Sequence, residues 1–123
     1  MIYRDYKDLS AYKLSYELSN IVWDIVIRWS SFAKDTVGKQ YVKAIDSISA
    51  NIAEGFGRYN KKDKVHFYRY SFGSLKESMS WSDKSHYRGL LTEEQYVEIS
   101  NLLDKLPKEI NSLIKYTNDK LLK

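Results

Sequence analysis

Six basic side chains lie around the start of a predicted helix in the middle of the sequence, and clustered positive charge attracts phosphate groups. They are Arg58, Lys61, Lys62, Lys64, Arg69 and Lys76. Three of them, Lys62, Arg69 and Lys76, recur every seven residues, so they follow one helix face about 10 Å apart. This spacing favours contact with successive phosphates of a nucleic acid. Because solvated helix faces are usually charged, an ordinary surface is the alternative interpretation.

The net charge of the chain is concentrated in the same region. The 123 residues carry a formal net charge of +4. Residues 1–54 contain 7 basic and 7 acidic side chains, residues 55–90 contain 8 and 3, and residues 91–123 contain 5 and 6. The positive excess therefore lies in the middle third, and a localised positive field attracts polyanions.

Groups that carry catalysis or hold metals are scarce. The absence of cysteine excludes disulfides, thiolate catalysis and zinc–thiolate sites. The Glu-x-x-His pairs of di-iron helix bundles are also absent. Glu54 and Glu77 would form an acid–base pair only if they converged on a pocket, and polar groups at helix contacts are the favoured interpretation. The sequence therefore predicts no enzymatic activity, no catalytic residue, no metal site and no cofactor.

Apolar residues recur at helical spacing in four segments, and no strand pattern is apparent. The predicted helices span about residues 8–32, 36–55, 60–88 and 92–119, within a single domain that covers residues 1–123. Four amphipathic helices joined by short turns predict an all-α, up-and-down antiparallel four-helix bundle. Pro107 lies inside the fourth helix, where we expect a kink because the apolar register continues beyond it.

Helix ends are predicted from capping residues. The candidate N-caps are Asp8 or Ser10, Asp35 or Thr36, Asn60, and Thr92 in a capping box with Gln95. Gly55 is expected to end the second helix in a left-handed conformation, and Gly57 to allow a tight reversal. Gly89 is expected to close the third helix.

A polar stripe follows the second predicted helix beside its apolar face. It contains Gln40, Ser47, Asn51 and Glu54, which can bond a neighbouring helix. Glu54 is expected near the backbone amides that begin the third helix. Antiparallel pairing would also bring Ala44 close to Gly73. The residues predicted to make helix contacts are Ser47, Asn51, Glu54, Gly55, Gly57, Gly73, Ser74 and Glu77.

The third predicted helix has a weakly polar arc that is wider than one bundle face requires. Small serines between aromatic residues would let another helix approach closely. We therefore predict a subunit interface at Phe67, Ser71, Ser78 and Trp81. The alternative is a wide intramolecular core whose hydroxyl groups are satisfied within the chain.

One motif links the end of the second helix to the third. It reads Gln40-x-x-x-Ala44-x-x-Ser47-Ile48-x-x-Asn51-Ile52-Ala53-Glu54-Gly55-x-Gly57-Arg58, followed by Phe67 and by Gly73-Ser74-Leu75-x-Glu77. This pattern resembles the four-helix-bundle proteins encoded by intervening sequences within 23S ribosomal RNA genes. The accessory variability determinants of diversity-generating retroelements share it. The resemblance extends over nearly the whole chain.

The resemblance implies a homopentameric ring with a positively lined central region. Together with the charge pattern, it predicts a non-enzymatic scaffold that binds RNA or DNA through phosphates, using the six basic residues named above. The alternative is an adaptor that docks a partner protein, such as the reverse transcriptase of a diversity-generating retroelement. No apolar run approaches the ~20 residues that span a membrane, so we expect a cytoplasmic protein without a membrane partner.

Overall fold

The computed structural model describes residues 3–121, and four long helices contain most of them. They are α1 (Ser10–Val26), α2 (Lys39–Phe56), α3 (Lys61–Tyr87) and α4 (Glu93–Lys120). A 3-10 turn (Tyr6–Asp8) precedes α1, and a helical turn (Ser31–Ala33) with a π-helix (Lys34–Gly38) leads into α2. The described range contains no strand, so the all-helical prediction is confirmed. Residues 1, 2, 122 and 123 of the predicted domain lie outside it.

Consecutive helices pack as antiparallel neighbours. The end of α1 leads to Trp29, whose ring stacks on Tyr41 near the start of α2, with centroids 6.3 Å apart. In the middle of the bundle, Ser71 of α3 donates a hydrogen bond to the carbonyl of Ile48 in α2. The α4 helix packs against both α3 and α1, which closes the bundle. The architecture is therefore an up-and-down four-helix bundle.

Aliphatic side chains from all four helices form the core. The fully buried ones include Leu18, Val22, Ile45, Ile48, Ile52, Leu75, Ile99, Leu103, Leu106 and Ile110. Two buried tyrosines, Tyr41 and Tyr68, join them, and burial raises the pKa of each to about 12. The α4 helix continues through Pro107. No helix in the described range carries an apolar stretch long enough to cross a membrane.

The corner between α1 and α2 differs from the prediction. The α1 helix ends at Val26 rather than near residue 32, and helical structure resumes at Ser31 rather than near residue 36. Ser30 is extended, and its hydroxyl accepts a hydrogen bond from the amide three residues later, at 3.4 Å. Thr36, a predicted cap, instead lies inside the π-helix. Apolar periodicity that runs across the corner to Trp29 concealed the break.

Two of the predicted N-caps are confirmed. The Asn60 side chain accepts a hydrogen bond from the amide that lies three residues into α3, at 2.9 Å. Thr92 and Gln95 form the expected capping box, with reciprocal bonds of 2.9 and 3.1 Å. The α1 prediction is wrong, because Leu9 occupies the cap position. The Asp8 carboxylate instead accepts bonds from backbone amides of the preceding turn.

Only one of the helix-ending glycines is left-handed. Gly89, after α3, has φ of 74° and is the one residue with positive φ in the described range. Gly57 is the C-cap of α2 with φ of −78°, and Gly55 lies within α2. The prediction that Gly55 ends the helix in a left-handed conformation is therefore wrong.

Gly55 is instead the position where α2 and α3 approach most tightly among the glycines of the motif. A Cβ atom there would lie 2.7 and 2.9 Å from ring carbons of Tyr68 and 3.0 Å from the carbonyl oxygen of Lys64. At Gly73, a Cβ atom would meet nothing within 4 Å. The predicted close approach of Ala44 and Gly73 is therefore wrong, because Gly73 faces solvent.

Candidate nucleic-acid interface

The exposed side of α3 carries three of the six predicted binding residues. We call this surface the outer face; it consists of Lys62, His66, Arg69, Tyr70, Gly73 and Lys76, all exposed. Within residues 3–121, no hydrogen bond or ion pair engages the side chain of Lys62 or of Arg69. The Lys76 ammonium lies 5.5 Å from the centroid of the Phe72 ring. Lys62 and Arg69 are thus two cations that the described part of the fold does not use.

An open depression of about 540 Å³ adjoins these two cations. It is lined by Lys61, Lys62, Val65, His66 and Arg69 of α3 and by Asn118 of α4. Val65 is buried and supplies an apolar floor, whereas Lys62 and Arg69 are exposed beside it. Because a concave surface focuses the field of the charges around it, this arrangement favours an anionic ligand.

An aromatic group lies beside the cations on the outer face. The Tyr70 ring is 52% exposed. The ring of His66 lies 5.2 Å from it at an angle of 31°, and Phe67 meets it edge-on at 5.5 Å. The Arg58 guanidinium in turn lies 4.5 Å from the centroid of Phe67. This run of contacts holds Tyr70 from two sides and leaves half of it open to solvent.

The other three predicted binding residues are engaged within the chain. The Lys64 ammonium donates a hydrogen bond of 2.6 Å to the Phe56 carbonyl, and burial lowers its pKa. Lys61 donates to the carbonyl of Asn118 at 3.1 Å, and Arg58 forms an ion pair of 3.0 Å with Glu54. Lys64 is therefore a structural residue of the α2–α3 turn rather than a surface charge.

Three residues of the polar stripe of α2 contact groups in α2 itself or in the turn that follows it. Ser47 donates to the carbonyl of Lys43 at 2.7 Å, and the Asn51 amide donates to the carbonyl of Ser47 at 2.8 Å. The Glu54 carboxylate pairs with Arg58, and its side chain is 53% exposed. The expected contact of Glu54 with the first amides of the third helix is replaced by its ion pair with Arg58, and the amide of Asp63 bonds the predicted cap, Asn60.

The predicted subunit interface divides into buried and exposed halves. Ser71 and Ser78 are fully buried within the chain. Ser71 donates to the Ile48 carbonyl of α2 at 2.8 Å, so it helps to hold the two helices together. These two serines therefore belong to the intramolecular core, as the alternative interpretation held. Phe67 and Trp81 are partly exposed and remain on the surface.

The two glutamates considered as an acid–base pair each contact a residue four positions later in the chain. Glu54 pairs with Arg58, and Glu77 accepts a hydrogen bond from the Trp81 indole at 3.2 Å. The Ser78 hydroxyl donates a hydrogen bond to the carbonyl of Ser74, also within α3. Residues 3–121 contain no cluster of three or more side chains suited to hold a metal ion. Nothing in this geometry indicates catalysis.

The sequence analysis missed an exposed apolar corner between α1 and α2. Its main side chains are Trp23, Ile27 and Phe32, and Phe32 is 80% exposed. A depression of about 350 Å³ passes Trp23 and Ile27 and is lined by Lys34 of the π-helix and by Lys39 at the start of α2. The signal was present, because Trp23 and Ile27 lie off the apolar stripe of the first helix.

The sequence and the fold can be compared with those of known proteins. The family described as "23S rRNA-intervening sequence protein" matches residues 7–112. A comparison with curated protein sequences finds none that matches. The chain is similar to the crystal structure of a protein with unknown function from the S23 ribosomal protein family, from Bacteroides thetaiotaomicron VPI-5482. The two share a TM-score of 0.75 and 22% sequence identity, and the match covers 85% of this chain and 98% of that chain. At this identity, the likeness supports the fold alone. Because the family match spans most of the sequence, the chain belongs to the 23S rRNA-intervening sequence protein family.

Proposed function

We propose that this chain is a non-enzymatic scaffold that binds nucleic acid, RNA in the first instance, through the outer face of α3. The observation that carries the proposal is the pair Lys62 and Arg69, which flank an open depression without a partner among the described residues. A cation that contributes nothing to the fold is free to replace the counterions of a phosphate. The name of the family also connects its members with 23S ribosomal RNA.

The mode of binding follows from the chemistry of the outer face. Lys62, Arg69 and Lys76 present charge at regular spacing, but none of the helices within residues 3–121 carries a pattern that reads base edges in a groove. Binding through phosphates releases counterions, so affinity should fall steeply as salt rises. We therefore expect weak sequence preference and strong dependence on ionic strength, for RNA or DNA.

We further propose that the scaffold is a homopentameric ring, as the family resemblance implies. A single chain carries a net charge of +4, so five chains would carry about +20. This multiplication converts a moderate field into one that attracts polyanions strongly. Phe67 and Trp81, which are partly exposed on α3, support the presence of an interface on this helix.

The binding proposal is tested by fluorescence anisotropy with a labelled structured RNA. The test variant is Lys62→Gln/Arg69→Gln, and the matched control is Lys105→Gln/Lys108→Gln, which removes the same charge from exposed positions of α4. We expect the wild type to lose at least about tenfold in affinity between roughly 50 and 200 mM salt, and the test variant to bind more weakly with a shallower salt slope. Equal weakening by both variants would show a general charge effect and contradict the proposed site.

The ring is tested separately by size-exclusion chromatography with light scattering. A mass near five chains, unchanged by the two glutamine pairs, is the expected result. A monomer at all concentrations would refute the ring and leave the binding proposal to stand on the outer face alone.

The second candidate function is an adaptor that docks a partner protein, such as the reverse transcriptase of a diversity-generating retroelement. The exposed side chains of Trp23 and Ile27, which line one open depression, favour it, since large apolar side chains that share an exposed surface are typical of protein interfaces. The two functions differ in salt dependence, because an apolar interface changes little with ionic strength. A reverse transcriptase gene adjacent to this one, with a salt-resistant complex between the two products, would favour the adaptor.

A further inference from the structure

The outer face of α3 combines unpartnered cations with an exposed aromatic ring at its centre. Tyr70 follows Arg69 directly and lies two helical turns after Lys62. Its ring is held by His66 on one side, at 5.2 Å, and by the edge of Phe67, at 5.5 Å, while half of its surface stays exposed. A side chain that is fixed from two sides and open on the rest is a preformed stacking surface.

We propose that this surface binds unpaired nucleotides, with a base stacked on Tyr70 and the neighbouring phosphates at Lys62 and Arg69. The inference rests on the proposed function and narrows its ligand to single-stranded segments. A base within a duplex is already stacked on its neighbours, so it cannot lie on a protein ring without leaving the helix. Proteins that bind single strands combine charge along the backbone with aromatic platforms for the bases.

A second observation that supports the stacking inference is the glycine at position 73. It lies one turn after Tyr70 on the same exposed face, and a Cβ atom there would meet nothing within 4 Å. Its φ is not positive, so neither packing nor backbone geometry within the described chain requires glycine. Glycine is nonetheless less favourable than alanine inside a helix. The missing side chain leaves the backbone next to Tyr70 open, as the close approach of a ligand would require.

The arrangement of these residues also indicates the path of the bound strand along α3. Lys62 and Arg69 lie about 10 Å apart along the helix axis, with the ring of His66 between them in sequence. A strand that runs along α3 would therefore meet Lys62, then the ring of His66, and then Arg69 with Tyr70 next to it. The depression lined by Val65 and His66 provides room for the strand beside the rings.

The test compares a single-stranded oligonucleotide of about 16 nucleotides with a hairpin duplex of similar total charge, by fluorescence anisotropy at low salt. The variants are Tyr70→Ala, Tyr70→Phe and the control Tyr87→Ala, which removes a 92% exposed tyrosine near the opposite end of α3. We expect Tyr70→Ala to weaken single-strand binding roughly 5- to 100-fold and duplex binding less than about twofold. Tyr70→Phe and Tyr87→Ala should retain wild-type affinity for both ligands.

A second variant keeps the test independent of the tyrosine. Gly73→Gln adds an uncharged side chain at an open helical position, so the helix should be retained while the approach to Tyr70 is obstructed. We expect weaker single-strand binding without loss of helical circular dichroism.

The outcomes separate this inference from the proposed function. If the wild type binds both ligands and Tyr70→Ala affects neither, or weakens both equally, the stacking inference is overturned and phosphate binding stands. A wild type that binds neither ligand at low salt overturns the proposed function and the inference with it. Preference for the duplex would also overturn the inference, and binding of a protein partner by the same face with no affinity for oligonucleotides would favour the adaptor.

Discussion

Two sides of α3 carry similar residues and use them in different ways. On the side facing α2, which we call the inner corner, Lys64 bonds the Phe56 carbonyl and Gly55 lies against the ring of Tyr68. On the outer face, the side chains of Lys62 and Arg69 have no partner among residues 3–121, and a Cβ atom at Gly73 would meet nothing within 4 Å. The inner corner is explained by the stability of the bundle, whereas the outer face is not.

The comparison of these two sides distinguishes charged residues that stabilise the fold from charged residues that are free to bind a ligand. Lys62 and Lys64 are two residues apart, which turns their side chains by about 200° around the helix. Composition and local charge density are the same for both, yet only one contributes to the fold. A polar group that the fold leaves unsatisfied is therefore a better indicator of function here than its residue type.

The largest change in stability is expected for substitution of Gly55, the glycine of the inner corner. Gly55→Ala would place a methyl group 2.7 to 3.0 Å from Tyr68 and the Lys64 carbonyl, neither of which can move without shifting the helices. We expect the free energy of unfolding to fall by about 3 kcal/mol. Gly73→Ala is the matched control, and it should raise that free energy by about 0.5–1 kcal/mol because alanine favours the helix. Urea denaturation measures both; a destabilised Gly73→Ala would contradict the distinction between the two sides.

The next effect compares the two lysines directly. Lys64→Met keeps the aliphatic stem but removes the ammonium that bonds Phe56, so it should cost roughly 1–2 kcal/mol of stability. Lys62→Met should change stability by less than about 0.5 kcal/mol, because the side chain is exposed and unpaired. RNA binding should show the reverse order, with Lys62→Met the weaker binder. The same order in both measurements would mean that the lysines are not functionally separated.

A third prediction uses the pH dependence of the inner corner. Burial raises the pKa of Tyr68 from 10.0 to about 12, so its neutral form is stabilised in the folded state. The stability that the neutral Tyr68 hydroxyl contributes to the folded state is fully present below pH 10 and is lost as the pH rises toward 12. By proton linkage, the ionisation of Tyr68 should lower the free energy of unfolding by about 1 kcal/mol by roughly pH 11.

The Tyr68→Phe variant isolates this effect from the titration of lysines and other tyrosines. Its stability should fall less than that of the wild type between about pH 9 and pH 11. Chemical denaturation at several pH values provides the measurement. Identical pH profiles for the two proteins would show that solvent reaches the Tyr68 hydroxyl in the folded protein, which would contradict its burial in the structure.

Much of the fold was readable from the sequence, because it depends on periodic apolar residues and local capping. The four helices, the Asn60 cap and the Thr92 capping box follow from patterns within a few residues. The break at Ser30 was missed because Trp29 continues the apolar period of α1. A periodic signal reports burial, and burial continues across a corner when both flanking helices face the same core.

The candidate site was less predictable, because it depends on contacts between helices. The sequence identified six cations but could not distinguish Lys64 from Lys62, since the Phe56 carbonyl is eight residues from its donor. It also assigned the close helix approach to Gly73 instead of Gly55, because both pairings fit an antiparallel turn. Small differences in helix rotation decided these points, and spacing alone does not fix rotation.

The smallest expected effect concerns Glu54, which the sequence pattern assigned to a polar contact between helices. Its carboxylate lies 3.0 Å from the Arg58 guanidinium, and both side chains are about half exposed, at 53% and 44%. Exposed ion pairs contribute little, because water screens the charges and both side chains lose freedom on pairing. Glu54→Gln should therefore change the free energy of unfolding by less than about 0.5 kcal/mol, as measured by urea denaturation. A loss above about 1 kcal/mol would show that Glu54 supports the inner corner through Arg58 and Phe67, and the boundary between the two sides of α3 would then have to include this ion pair.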